Sequence, residues 1–340
     1  MLKYEVHEAD ASKGYNFPFI LVYPEQLPEQ VKIFVEGNNS TEYEKIGEDK
    51  KVIGHQTFEE QRQDAIKFAD FIVGPVVEDK YNHTMLYHKL NQPLVIPIIE
   101  RCDAEHEGEY YTQMLGRNVM LDKTSKFANL TQQVVAMVNE AKKICLSKKQ
   151  DVKIEEKAGL CGFSASGVFA SRMLFAEPET FDACLSICSN AVQPLPVDEM
   201  YRVKLPYPLG TADYEKIFGK PFNEEEYKKA KQLFIVGEDE AEKSYNIVKK
   251  ARLHDTKVRD RYIQLYGDVS IQERQNIISE IMQDLGMDRT MSLVVPGDHT
   301  MEGKGRYISQ FVNAVSVPTD ASKPLSQATS TTSNQNNTVS

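Results

Sequence analysis

Short apolar runs alternate with longer amphipathic stretches along most of the chain, and this alternation predicts strands and helices in turn. Runs typical of buried strands occupy residues 17–23, 31–35, 93–99, 157–161, 181–187, 232–237 and 291–296. Apolar residues return at helical spacing over residues 58–71, 127–146, 168–174 and 307–315. Residues 71–77 predict a further short strand or buried loop. The alternation favours an α/β fold with a mostly parallel central sheet and helices on both faces.

Two intervals are longer than ordinary connections between a strand and a helix. Residues 190–231 are rich in Pro, Tyr and charge, and residues 241–288 are mostly helix-like. Insertions above the carboxyl edge of a parallel sheet commonly shape access to a site. From residue 317 onward, Ser, Thr, Asn and Gln dominate, which predicts a disordered polar tail. We expect one α/β domain over residues 1–316, followed by that tail over residues 317–340.

Composition argues against several classes of protein. The chain has 340 residues, 41% of them hydrophobic, which is enough for a large buried core. Its apolar runs fall well short of the roughly 18 residues that span a bilayer, and its N-terminus lacks the apolar segment of a signal peptide. A formal net charge of −10 opposes nonspecific attraction to nucleic acid or anionic membrane. We expect a cytoplasmic protein without a nucleic-acid partner or integral membrane association.

The cysteines predict neither a disulfide framework nor a metal site. They are odd in number and form no paired CxxC motif, and they lie at Cys102, Cys145, Cys161, Cys184 and Cys188. They are typical of reduced, mostly buried residues, and Cys161 is interpreted as a packing residue of its strand. The chain also lacks an early Gly-x-Gly-x-x-Gly and any His-rich spacing. We therefore expect no cofactor and no metal.

The most informative segment is residues 161–167, which read Cys-Gly-Phe-Ser-Ala-Ser-Gly and lie where an apolar strand gives way to a helix. A serine at such an elbow exposes its hydroxyl, and the first free amides of the helix point at an oxyanion formed beside it. The usual elbow reads Gly-x-Ser-x-Gly, whereas Ser166 here replaces the second glycine. A serine that merely caps a helix would give a similar segment. The elbow alone leaves both interpretations of Ser164 open.

A nucleophilic serine needs a histidine to accept its proton and a carboxylate to orient that histidine. His299 follows the last predicted strand, in a Pro-Gly-Asp-His loop ahead of a helix. The strand at 232–237 leads into three acids, of which Glu240 has the Gly-x-x-acid spacing and Asp239 is the alternative. The order serine, acid, histidine along the chain is that of an α/β-hydrolase.

An oxyanion hole needs two backbone amides near the nucleophile. We expect one from Ala165, directly after Ser164, and another from Asn38, in the loop that follows the predicted strand at 31–35. An ordinary Gly-Asn turn would give the same sequence in that loop, so both interpretations remain open there.

Several segments carry a family resemblance. Residues 162–167 read Gly-Phe-Ser-Ala-Ser-Gly, and the segments at 93–101, 110–117, 207–213 and 219–222 add a strand, a Tyr-Thr stretch and an access region. In these the chain resembles the bacterial α/β-hydrolases of the esterase and lipase type, over about residues 15–315. Glu240 stands where that family usually has aspartate, and the loop with His299 is compact. The resemblance implies a serine hydrolase that cleaves a carboxylic ester through an acyl-enzyme.

The sequence thus predicts an enzyme that acts on a small-molecule ester or acyl substrate. Ser164 is expected to attack the carbonyl, His299 to shuttle the proton and Glu240 to orient His299. Two alternatives stay open at this point. One is a noncatalytic binding or regulatory protein with the same fold, and the other is acyl transfer, thioester hydrolysis or amide cleavage at the same triad.

Overall fold

An eight-stranded sheet forms the centre of the computed structural model, which describes residues 1–38, 57–75, 83–101, 112–189, 192–240, 256–267 and 269–316. The strands are β1 (Leu2–His7), β2 (Phe19–Pro24), β3 (Gln30–Val31), β4 (Phe34–Val35), β5 (Leu94–Pro97), β6 (Lys153–Ile154), β7 (Ala158–Phe163), β8 (Phe181–Ile187), β9 (Glu199–Met200), β10 (Val203–Lys204), β11 (Lys231–Gly237) and β12 (Thr290–Val295). The main sheet has the order β1-β2-β5-β4-β7-β8-β11-β12. The other four strands form two small pairs, β3 with β6 and β9 with β10.

Helices connect most of these strands. They are α1 (Phe58–Val73), α2 (His83–Leu90), α3 (Arg117–Leu121), α4 (Leu130–Lys148), α5 (Ala165–Ala176), α6 (Tyr214–Phe218), α7 (Glu224–Lys229), α8 (Thr256–Tyr266), α9 (Ile271–Asp284) and α10 (Gly305–Ser316). Capping boxes begin two of them, Thr57 with Glu60 on α1 and Ser270 with Glu273 on α9. None of the helices among the described residues is both long and apolar enough to cross a membrane.

The sheet is parallel from β5 to β12 and antiparallel at the other edge, where β1 pairs with β2 and β2 with β5. Successive side chains of a strand point to opposite faces. Along β2, Phe19 and Leu21 join the core under α4, α5 and α9, whereas Ile20 and Val22 join the core under α1, α2 and α10. Helices therefore cover both faces of a mostly parallel sheet, and the predicted fold class is confirmed.

Local differences from the prediction have physical causes. The predicted strand at 31–35 is two strands, because Val31 pairs with Ile154 in a small sheet and only Phe34–Val35 joins the main one. The predicted strand or loop at 71–77 is wrong at its start, since α1 continues through Val73. Residues 76–77 and 317–340 lie outside the described residues. The division into one domain and a tail stays a prediction.

Aromatic side chains pack the first of the two long intervals, the insertion that begins after β8, against the end of α5. Phe175 on α5 contacts the rings of Tyr207, Tyr214, Phe222 and Tyr227, with ring centroids 4.9–6.1 Å apart. The Tyr214 hydroxyl also donates a hydrogen bond to the carbonyl of Ala176 at 2.7 Å. Since buried aromatic pairs add to the free energy gained by burying their area, the insertion is held firmly against the helix that follows the elbow.

A buried acid lies at the carboxyl end of β4. Glu36 is 1% exposed, and its Oε2 has no hydrogen-bond partner among the described residues. Burial raises the pKa of Glu36 well above its ordinary value of 4.5, because the charged form loses its hydration. The folded protein therefore holds a proton at Glu36 over a pH range in which the unfolded chain has released it.

We expect this proton to make stability fall as pH rises above about 4.5. Over that range, the free energy of unfolding of Glu36→Gln minus that of wild type should increase by up to about 1.4 kcal/mol for each pH unit. Urea unfolding at about pH 5 and pH 8 measures the difference, with exposed Glu29→Gln as the control. A difference between Glu36→Gln and wild type that does not change with pH would contradict this account.

Candidate active site

Ser164 lies on a sharp turn between β7 and α5. Its φ is +57° and its ψ is −119°, a region that residues other than glycine seldom occupy and that costs of order 1–3 kcal/mol. The Ser164 amide donates to the carbonyl of Ile187 at 2.8 Å, which ties the turn to β8. A Cβ at Gly162 would lie 2.3 Å from the backbone carbonyl of Ser166, so the tight turn requires glycine there.

The strand order brings three separate loops to one edge of the sheet. Ser164 follows β7, Glu240 ends a single turn after β11, and His299 lies in the loop after β12. The strands β7, β8, β11 and β12 are consecutive and parallel, so their carboxyl ends share an edge. Residues 135 positions apart in the chain thereby come into contact.

Hydrogen bonds join these three side chains in series. The Nε2 of His299 lies 3.0 Å from the Oγ of Ser164, and its Nδ1 lies 2.9 Å from the Oε2 of Glu240. The amide of Gly237 donates to the other carboxylate oxygen of Glu240 at 2.6 Å. The Glu240 side chain is 1% exposed, whereas that of His299 is 43% exposed. The buried acid thus holds a histidine that reaches the open side of the site.

Burial alone would raise the pKa of Glu240, but hydrogen bonds outweigh it. The His299 ring and the Gly237 amide donate to the carboxylate, and together with the nearby Cys188 thiol and the His299 charge they hold this pKa below its ordinary value of 4.5. Glu240 is therefore ionised near neutral pH and can only accept hydrogen bonds. Because Nδ1 of His299 must then donate to Glu240, neutral His299 has its Nε2 free to accept the proton of Ser164.

The two candidate acids occupy different places. Glu240 meets His299, whereas the side chain of Asp239 is exposed. Asp239 contributes through its backbone, since its amide donates to the carbonyl of Gly297 at 3.0 Å. This bond docks the acidic turn after β11 against the loop that carries His299.

Two buried residues that the sequence did not point to also hold the histidine loop. Lys304 is fully buried and its Nζ donates to the carbonyl of Asp298 at 2.9 Å. The Sγ of Cys188 lies 3.6 Å from the carbonyl of Thr300. These contacts fix the backbone on both sides of His299. The ring of Phe163 lies beside the imidazole as well, with centroids 5.0 Å apart.

Cys188 directly follows β8 and has a φ of +52°. Burial and the nearby Glu240 carboxylate raise the pKa of its thiol well above the ordinary value, so the thiol keeps its proton and donates it to the carbonyl of Thr300. Knowledge of the strand order would have pointed to it, because a residue after β8 must lie between the loops after β7 and β11. Nothing in the sequence singled out Lys304.

One group of metal-ligand side chains occurs among the described residues, and it coincides with this site. The ligand atoms of Cys188, Glu240 and His299 lie within 4.8 Å of one another. In this structure the nitrogen and oxygen face each other at hydrogen-bond distance. Cys161 is buried in β7 and burial raises the pKa of its thiol, in keeping with a packing role. The expected absence of a metal stays a prediction.

The two segments expected to form an oxyanion hole touch each other. Ala165 is the first residue of α5, so its amide has no acceptor within the helix. Asn38 is buried, and the preceding Gly37 accepts a hydrogen bond from the Ser166 hydroxyl at 2.6 Å. The loop after β4 therefore rests on the first turn of α5, beside Ser164.

Comparisons with known proteins give a likeness in fold. No protein-family model matches the chain, and no curated protein does. Among solved structures, poly(aspartic acid) hydrolase-1 from Sphingomonas sp. KT-1 is 13% identical with a TM-score of 0.50, over 92% of this chain and 98% of that one. The LpqC poly(3-hydroxybutyrate) depolymerase from Bordetella parapertussis is 15% identical with a TM-score of 0.46, over 91% and 87%.

Three observations indicate the same fold. They are the order of strands in the sheet, the elbow after β7 and the match to the Sphingomonas structure over nearly its whole length. The sequence resemblance stated above is confirmed at the level of the fold. The chain has the α/β-hydrolase fold.

Proposed function

We propose that the protein is a serine hydrolase that cleaves carboxylic esters through an acyl-enzyme. The observation that supports this most strongly is the continuous hydrogen-bond series from the Glu240 carboxylate through His299 to the Ser164 hydroxyl. A serine hydroxyl is a weak nucleophile by itself, and a histidine held in this way is what activates it. The strained, outward-turned backbone at Ser164 is a second feature with no evident role in an ordinary helix cap.

In the first half of the reaction, the Oγ of Ser164 attacks the ester carbonyl while the Nε2 of His299 takes the hydroxyl proton. The imidazolium that forms is stabilised by the Glu240 carboxylate at its Nδ1. The carbonyl oxygen becomes an oxyanion, for which the amides of Ala165 and Asn38 are the proposed donors. His299 then passes its proton to the departing alkoxide, and the acyl group remains on Ser164.

In the second half, water replaces the alcohol. The Nε2 of His299 removes a proton from the water as it attacks the acyl carbonyl, and the same amides bind the second oxyanion. Collapse of that intermediate releases the carboxylic acid, and the proton on His299 returns to the Oγ of Ser164. No cofactor takes part in either half, and the substrate is a small-molecule ester or acyl compound.

Reaction with a fluorophosphonate tests the nucleophile without knowledge of the natural substrate. We expect wild type to gain the mass of one phosphonyl group, because His299 makes Ser164 nucleophilic, and Ser164→Ala to gain none. Ser171→Ala, which removes another hydroxyl of α5, is the control and should react like wild type. Intact-mass spectrometry reads the outcome. Unreactive wild type that still binds ester analogues would favour a noncatalytic binding protein instead.

Amide substitutions of the two neighbouring acids test which one orients His299. Glu240→Gln should lower kcat for a short-chain ester by about 10³–10⁴-fold, because a neutral amide no longer fixes the tautomer of His299 or stabilises its charged form. Asp239→Asn should keep kcat within about twofold, since its side chain is exposed. Steady-state kinetics measure both variants. Loss of activity in Asp239→Asn together with an active Glu240→Gln would reverse the assignment.

A further inference from the structure

Ser166 stands where the usual elbow has its second glycine, and its side chain is not a neutral replacement. The residue is fully buried in the first turn of α5. Its hydroxyl donates to the carbonyl of Gly37 at 2.6 Å, across 129 positions of sequence. Gly37 lies in the loop after β4, which the proposed mechanism requires for the second oxyanion donor.

A second contact from α5 supports the same peptide. Phe169 lies one turn further along the helix, and its ring atoms come within 2.8–3.1 Å of the position that a Cβ at Gly37 would occupy. Because Gly37 has no Cβ, the loop can pack closely enough on α5 for the Ser166 hydroxyl to reach the Gly37 carbonyl. The hydroxyl of Ser166 and the ring of Phe169 thus both contact the Gly37 peptide from α5.

The planarity of the peptide bond carries this constraint to the next residue. The carbonyl of Gly37 and the amide of Asn38 belong to one peptide unit, which is trans. In a trans peptide the C=O and N–H bonds lie in one plane and point in opposite directions. Because the Ser166 hydroxyl holds the Gly37 carbonyl toward α5, it also fixes the direction of the Asn38 N–H. That N–H points away from the Ser166 hydroxyl.

We propose that Ser166 is a positioning residue, which orients the Gly37–Asn38 peptide so that the Asn38 amide serves as the second oxyanion donor. This inference rests on the proposed function. A donor must lie about 2.7–3.1 Å from the oxyanion and must already point at it before charge develops. The Ala165 amide is fixed by α5, and Ser166 fixes the other donor to the same helix. With glycine at position 166, the hydrogen bond to the Gly37 carbonyl is absent, and the Gly37–Asn38 peptide can rotate.

The test compares Ser166→Ala and Ser166→Gly with Ser171→Ala. Ser171 is also buried on α5, but its hydroxyl donates to Val168 in its own helix at 3.0 Å. Active sites are titrated with the fluorophosphonate so that rates refer to competent enzyme. We expect both Ser166 variants to lose about 10–100-fold in kcat with KM within about twofold, and Ser171→Ala to match wild type.

The affinity of a boronic acid that forms a tetrahedral adduct with Ser164 distinguishes a positioning role of Ser166 from a purely structural one, which would leave that affinity unchanged. Its affinity should fall in the Ser166 variants by about the same factor as kcat/KM, while the affinity of a carboxylate product stays unchanged. If Ser166→Ala does not fold, Ser166→Gly decides the question, since it also removes the hydroxyl and glycine is the usual residue at this position of the elbow.

Wild-type kcat and boronic acid affinity in the Ser166 variants would overturn the positioning role and leave the proposed hydrolase intact. Equal losses in Ser166→Ala and Ser171→Ala would also overturn it, because they would reflect disturbance of α5. Inactive wild type that does not react with the fluorophosphonate would instead remove the proposed function itself.

Discussion

The buried carboxylate of Glu240 is the interaction on which the rest of the site depends. A buried charge is costly unless hydrogen bonds replace its lost water, and here the amide of Gly237 and the ring of His299 do so. Each of these donors belongs to a different strand end or loop. The carboxylate therefore joins the turn after β11 to the loop after β12, and in doing so it determines which nitrogen of His299 faces Ser164.

The other half of the site is organised by α5. The backbone of Ser164 is in a strained conformation. It is retained because Ser164 is hydrogen-bonded to the end of β8 and because β7, before it, packs tightly against the first turn of α5, after it. The same turn carries Ser166 and so reaches the loop after β4. One rigid element thus positions the proposed nucleophile and both proposed oxyanion donors, while a second group of loops positions the proposed base. The proposed reaction takes place where α5 and these loops meet.

Sequence patterns predicted best what is determined locally. The strand at Phe181–Ile187 was predicted with its observed bounds, because a run buried on both faces has few polar interruptions. The strand Leu2–His7 was missed, since it lies at the edge of the sheet and only Leu2 is buried. Ser164 was predicted from the elbow, and Glu240 and His299 from their order after later strands; the structure brings the three side chains together, and their catalytic role stays a prediction. Cys188, Lys304 and the contact of Ser166 with Gly37 depend on strand order and loop packing, which a single sequence does not contain.

The tautomer of His299 shows most directly whether Glu240 orients the ring toward Ser164. In ¹⁵N-histidine-labelled protein near neutral pH, with its signal identified among seven histidines by its loss in His299→Ala, nitrogen shifts distinguish a protonated Nδ1 from a protonated Nε2. We expect the proton on Nδ1, with a resonance moved far downfield by the Glu240 carboxylate and lost in Glu240→Gln. A proton on Nε2 in the neutral imidazole would contradict it, because that nitrogen could not then accept the proton of Ser164.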